Sequence, residues 1–361
     1  MKRNSYRNLR ALVSCLGGSA PEILNWDEII ELANKSLTIP SLAAAMGKLE
    51  KKVEIPEDVR TYLAAVHDRN TQRNSRLLHQ LKEAVTCLNG ADIKPVVMKG
   101  AAILLLQEQD EIGTRILTDL DILVRPADMS GAIEALRRIG YEIRIAGRGP
   151  WPGNPKFHLP VVLARPTDVG SIDLQCRPKG PASFSDIEWL YRNSTRMAVD
   201  EGDVFVPSPF AQIVYLMLHD QFQDGDYWRG LIDLRHLLDI TNLARSGDIS
   251  WDALRALFAD GYERNAVDTQ ILTARALFGT SIGPNMSFGM LSHLQLARRK
   301  FQVGRQYLAA PFALLTLLTE IFHYSSWDRF GGNPHPTRLR EAKRKVRELR
   351  RIFRPIPPGK V

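Results

Sequence analysis

Two aspartates, Asp119 and Asp121, sit inside the apolar run Ile116, Leu117, Leu120, Ile122, Leu123 and Val124. That composition is typical of a buried or half-buried strand. Alternate residues of a strand share a face, so both carboxylates point the same way while Leu120 turns into the core. Two like charges so close repel unless a cation lies between them or one is protonated. Mg2+ takes oxygen ligands, commonly a few carboxylates with substrate phosphates. A pair of such ions, roughly 3.5–4 Å apart, can activate an attacking oxygen and stabilise a leaving one. A third acid on a neighbouring strand would complete the set. Asp173, between Ile172 and Leu174, is the candidate.

Upstream, the stretch Val96 to Leu106 runs as a short strand, then Gly100, then a helix. A helix start presents free backbone N–H groups to an anion. Lys99 and Arg115 add cations on either side of the acidic strand. Acids for metal beside a cradle for phosphate point to a nucleoside triphosphate with bound Mg2+. The plainer alternative is a carboxylate pair bridged by Arg115 or Arg125, with Asp173 capping a turn. His219 and Asp233, on consecutive later helices, are candidates for lining the cleft. Their plainer reading is a satisfied core histidine and a salt bridge to a nearby arginine.

The elements that must hold these residues follow from periodicity. Residues 1–92 read as helical. Asn25 is placed to cap a helix that carries Trp26, Ile29, Ile30, Leu32 and Ala33. Pro56 opens a long helix that ends at Gly90. Residues 93–206 alternate strand and helix and then pair strands as a hairpin, the pattern of a small mixed sheet. Residues 207–361 return to amphipathic helices, with Ser208 and Ser250 as caps. The expected class is therefore α+β, a small mixed β-sheet core flanked by N- and C-terminal helical regions.

Taken in order, the strand–Gly–helix, the D-x-D strand and the later third aspartate resemble the polymerase-β-type nucleotidyltransferase superfamily. The stretch from Ile93 to Ile143 is more closely similar to a bacterial branch known as uncharacterised nucleotidyltransferases. That branch has a Lys-Gly pair, an Arg just before the D-x-D, a Gly-Tyr after the next helix and a later hydrophobic-Asp-hydrophobic strand. Here these are Lys99 and Gly100, Arg115, Asp119 and Asp121, Gly140 and Tyr141, and Asp173. The chain departs from the usual pattern in two places. It has Gly100-Ala101-Ala102 where the superfamily usually has Gly-Ser or Gly-Gly, and Gln175 where the branch often has His.

The resemblance implies Mg2+- or Mn2+-dependent transfer of a nucleoside monophosphate from a nucleoside triphosphate such as ATP, with release of pyrophosphate. Asp119 and Asp121 would hold two ions, and Asp173 would complete the ion at the acceptor and assist its deprotonation. Lys99, Gly100 and Arg115 would hold the triphosphate, with His219 and Asp233 as further substrate contacts. The acceptor, a small molecule, peptide or protein, is not named by the sequence. Two rival readings remain: a transferase using a sugar nucleotide on the same cradle, and a non-catalytic nucleotide- or partner-binding module.

Composition narrows the setting. The chain has 361 residues and a net charge of +8. Nine Lys/Arg and two Glu between Arg338 and Arg354 account for +7 of that charge. The basic character thus belongs to one C-terminal helix, which the seam Leu339, Val346 and Leu349 would dock. Without interleaved aromatics to stack bases, nucleic acid is a disfavoured partner. Cys15, Cys87 and Cys176 form no metal or disulfide pattern, which fits a reducing cytoplasm. The N-terminus lacks the apolar run of a signal peptide. The apolar run Tyr307 to Phe322 is shorter than the ~20 residues a membrane span needs, and it contains Pro311 and Glu320.

Overall fold

The computed structural model describes residues 6–22, 24–145, 161–177, 186–258, 261–284, 286–320 and 356–361. These residues fall into two units, one drawn from Asp68–Tyr215 and the other from the chain before and after it. The expected mixed sheet with flanking helices is present. The basic stretch Arg338 to Arg354, with its seam of Leu339, Val346 and Leu349, lies outside the described residues.

The unit Asp68–Tyr215 is built on a seven-stranded sheet. Its strands are β1 (Val96–Met98), β2 (Asp119–Leu123), β3 (Glu142–Ile145), β4 (Val161–Ala164), β5 (Ser171–Gln175), β6 (Ser194–Val199) and β7 (Gly202–Pro207). They lie in the order β3-β4-β5-β2-β1-β7-β6, which puts β2 at the centre. β2 runs parallel to β5 and antiparallel to β1. One face carries Val97, Leu120, Ile122, Val161, Leu163, Ile172 and Leu174 into a core shared with Leu77, Leu81, Ala84, Val85 and Leu88 of the helix Glu57–Gly90. The period-2 alternation of β2 and β5 thus sends leucine and isoleucine inward and leaves the acids on the other face.

Two differences from the sequence reading have local causes. The hairpin expected within 93–206 is β4–β5, and the second hairpin, β6–β7, lies after it in a stretch that carries no strand signal. Val199, Val204 and Val206 face the core, but the strands are otherwise half-exposed and joined by the polar turn Asp200-Glu201. The second difference is where the acidic strand begins. The apolar run makes Ile116 and Leu117 part of that strand, yet β2 starts at Asp119. The carbonyls just before it are taken by side chains of the long helix. Asn70 and Asn74 donate to Arg115 O at 3.0 and 2.8 Å, and Arg73 donates to Leu117 O.

The other unit is helical. Asn25 caps the helix Trp26–Lys35 through Glu28 N, and Ser250 caps Trp251–Ala256 through Ala253 N. The helix Ala309–Glu320 occupies the apolar run near Tyr307. Among the described residues no helix is long and apolar enough to cross a membrane. All three cysteines are free.

Candidate active site

β2 and β5 are paired in register, with Asp121 opposite Asp173 and Asp119 opposite Ser171. Directly paired residues project to the same face, so Asp119, Asp121 and Asp173 form one carboxylate group across two central strands. On the far side of β2, Met98 pairs with Asp121. The next residue, Lys99, swings back over that position. Its Nζ lies 2.8 Å from Asp121 Oδ1. Lys99 takes a left-handed backbone, φ 51°, at the start of the helix Lys99–Leu106. That conformation is uncommon outside glycine, and such outliers cluster at sites that need them.

The Lys99 ammonium reports on all three acids. Burial alone would depress its pKa, but the charges of Asp121, Asp119 and Asp173, with the hydrogen bond to Asp121, carry it above the ordinary lysine value. A single cation is therefore already drawn to the point where the carboxylates converge. Gln175, two residues beyond Asp173 and on the same face, donates from Nε2 to Asp121 Oδ1 at 2.7 Å. Asp121 is thus held from both sides, whereas Asp119 accepts from Thr118 Oγ1 at 3.1 Å.

Gly100 and Arg115 form one feature. The Arg115 side chain is buried against the α-carbon of Gly100, where a Cβ would lie 2.4 Å from Nη1. Any larger residue at 100 must displace the guanidinium. Arg115 Nη1 also donates to Ile116 O at 3.3 Å.

A row of polar side chains on the helix Glu57–Gly90 fixes the approaches to both acidic strands. Asn74 donates to Ile112 O at 2.7 Å and Asn70 to Gly113 O at 2.7 Å, ahead of β2. Arg73 donates to Val169 O at 2.9 Å and Gln80 to Gly170 O at 3.0 Å, ahead of β5. Sequence reasoning missed these residues. Their signal was present as polar side chains at three- and four-residue spacing on the face that also carries Leu77 and Leu81.

His219 and Asp233 belong to the helical unit, where both join one cluster through His236, Asp220 and Lys360. The helix Pro209–Met217 continues as a π-helical turn, Leu218–Asp224, that carries His219, Asp220 and Asp224. Asp220 is fully buried. Its Oδ1 accepts from His236 Nδ1 at 2.7 Å, His219 Nδ1 at 3.3 Å and Lys360 Nζ at 3.3 Å. Asp233 caps the helix Leu234–Ser246 by accepting from His236 N at 3.0 Å. Its other oxygen faces Lys360 Nζ at 3.4 Å and Arg235 at 3.9 Å, so the expected arginine partner is joined by a closer lysine. Lys360 also meets Asp226 at 2.6 Å and Asp224 at 3.2 Å. Burial would lower its pKa, but these four carboxylates hold it well above the ordinary lysine value. Lys360 was invisible to the sequence reading because it is more than a hundred residues from its partners.

The family described as "Uncharacterised nucleotidyltransferase" matches residues 23–279. No curated protein matches the chain.

Proposed function

The chain belongs to the uncharacterised nucleotidyltransferase family, and from that premise we propose that it transfers a nucleoside monophosphate from a metal-bound nucleoside triphosphate to an acceptor oxygen. The observation that carries this reading is the convergence of Asp119, Asp121 and Asp173 on one sheet face, with the Lys99 ammonium 2.8 Å from the middle carboxylate. Oxygen-only acids are the donor set of Mg2+ or Mn2+. The ammonium marks the place where positive charge is favoured, so the residues fit the metal. Asp119 and Asp121 would hold two ions and Asp173 would share one. Bound there, the ions would neutralise triphosphate charge and polarise the α-phosphate.

The chain's own groups do the rest. Lys99, Arg115 and the N–H groups at Gly100 hold the triphosphate oxygens. Gln175 fixes the orientation of Asp121. Asp173 accepts the proton of the acceptor hydroxyl as its oxygen bonds to the α-phosphorus, and the bond to the β-phosphate oxygen breaks to release pyrophosphate. In this reading Ala101 and Ala102 supply no hydroxyl, so Arg115 and the backbone carry the contacts that a serine often makes. The step is argued without His219 and Asp233, whose described partners are Asp220, Asp224, His236, Arg235 and Lys360.

The test is a screen of the four nucleoside triphosphates, with sugar nucleotides in parallel, with Mg2+ or Mn2+ against metabolite and peptide pools. It is read by pyrophosphate release and by the mass added to the acceptor. Metal-dependent pyrophosphate with a nucleotide-sized mass gain supports the proposal. A sugar-sized gain from a sugar nucleotide, without pyrophosphate, overturns it in favour of the related transferase.

A further inference from the structure

The helical unit contains a second cluster that the proposed reaction does not use. Among the described residues, His219, Asp220 and His236 are the group whose ligand atoms all lie within 4.8 Å of one another. Two imidazole nitrogens with a carboxylate oxygen are the donor set of Zn2+ and neighbouring borderline metals, whereas Mg2+ avoids imidazole.

Three further observations point to a cation larger in charge than the one present. First, the Lys360 ammonium has three donors, yet it is faced by Asp220, Asp224, Asp226 and Asp233 at 2.6–3.4 Å. Arg235, 3.9 Å from Asp233, and the buried Arg299 also act on this group, and the four carboxylates still outnumber the three cations. Asp226 Oδ1 is buried and has no hydrogen-bond partner among the described residues. Second, Asp220 has an outer layer of support. Its Oδ2 accepts from Gln270 Nε2 at 3.2 Å, and Gln270 is itself held by Arg299 at 3.0 Å. Arg299 also binds Gln221 at 2.7 Å. Outer-layer hydrogen bonds of this kind orient metal ligands. Third, His219, Asp220 and Asp224 lie on a π-helical turn, a backbone form frequent at functional sites. Hydrogen bonds in such a turn reach five residues along, and here His219 Nδ1 and Asp224 Oδ2 come within 3.6 Å.

We infer that His219 Nδ1, Asp220 Oδ1 and His236 Nδ1 form a binding site for Zn2+ or a similar borderline divalent metal, in which the Lys360 ammonium is the internal cation that the metal replaces and each imidazole keeps its proton on Nε2. The site is separate from the carboxylates of β2 and β5 in both residues and donor type. Asp224, Asp226 and Asp233 supply the surplus negative charge that makes a divalent ion the better occupant.

The test uses the full-length chain carrying Asp119→Asn, stripped with chelator and kept in excess Mg2+, which occupies oxygen-only sites. Co2+ is titrated by visible absorption and Zn2+ by equilibrium dialysis and thermal shift. Stoichiometric Co2+ with the ligand-field bands of a nitrogen–oxygen site is expected. His219→Asn, at a half-exposed position, and His236→Gln should each weaken binding by about tenfold or more. Lys360→Met should do the opposite. It should bind Zn2+ about tenfold tighter, and its thermal midpoint, lowered in chelator, should recover on adding Zn2+. The recovered midpoint places the gain on the folded chain, because metal held by exposed His and Cys of the unfolded chain would lower the midpoint instead. The inference is overturned if neither the parent nor Lys360→Met binds Co2+ or Zn2+, if both histidine variants bind as the parent does, or if Lys360→Met leaves the affinity unchanged.

Discussion

Asp119 and Asp121 share a strand face but not a role in stability. Asp121 accepts from Lys99 and Gln175 and is buried, while Asp119 is half-buried and meets Thr118. Asp119→Asn removes a repelling charge and should leave metal-free stability within about 0.5 kcal/mol of the parent. Asp121→Asn strands the Lys99 ammonium against a neutral amide and should cost about 1–3 kcal/mol. Urea unfolding in chelator distinguishes the two. Both variants should lose metal-dependent pyrophosphate release, and near-parental turnover in either would remove the carboxylates from the chemistry. Gly100→Ala probes the neighbouring feature. With its Cβ only 2.4 Å from Arg115 Nη1, the alanine must push the guanidinium aside. If Arg115 holds triphosphate, the KM for nucleotide should rise about tenfold or more while the fold persists. An unchanged KM in a folded Gly100→Ala protein would take Arg115 out of nucleotide binding.

At the scale of elements, the site depends on one helix gripping the loops ahead of two strands. Asn74 is fully buried and serves two carbonyls, so Asn74→Ala should cost about 1–3 kcal/mol, read by urea denaturation. The same helix holds the far side of the sheet through Glu83, which receives Arg165 Nη1 and Nη2 at 3.1 and 2.6 Å. That bidentate bond keeps the Glu83 carboxyl below its ordinary pKa. A depressed folded-state pKa stabilises above the unfolded value and is lost as pH falls through the folded one. The stability difference between parent and Glu83→Gln should therefore be present at neutral pH and vanish in acid, checked by unfolding midpoints from pH 7 to 3. A constant difference would mean that packing, not charge, carries it. The strands that bear the acids were legible because leucine and isoleucine alternate with aspartate in both. The clamp was not, because polar residues on a helix read as solvent-facing until the loops they hold are placed beside them. The hairpin β6–β7 was missed because three core valines were too few to stand out from a polar stretch.

At the scale of the whole chain, the helical unit is assembled from segments far apart in sequence, and residues 356–361 bring them together. Gly359 N donates to Lys35 O at 3.0 Å, next to the N-terminal helix Trp26–Lys35. It does so with φ 92°, and a Cβ there would press on Leu37 at 3.2 Å. Two residues on, Val361 exchanges backbone hydrogen bonds with Ile232 at 3.0 and 2.9 Å. Between them Lys360 enters the carboxylates of Asp220, Asp224, Asp226 and Asp233. The sequence leads one to expect a tail docked through the apolar seam of the basic stretch. That seam lies outside the described residues; the contact of residues 356–361 is a backbone bridge and one buried charge, which hydrophobic periodicity cannot reveal. Removing one partner of a buried ion cluster leaves the others uncompensated, a loss of about 3–5 kcal/mol. Lys360→Met in chelator should show a destabilisation of that order by urea unfolding. Deletion of residues 356–361 should exceed it, because the bridge to Ile232 and the bond to Lys35 go as well. If the deletion is costly and Lys360→Met is not, the backbone bridge holds the segments together and the buried charge does not. If neither is costly, the tail contributes nothing to the stability of the helical unit.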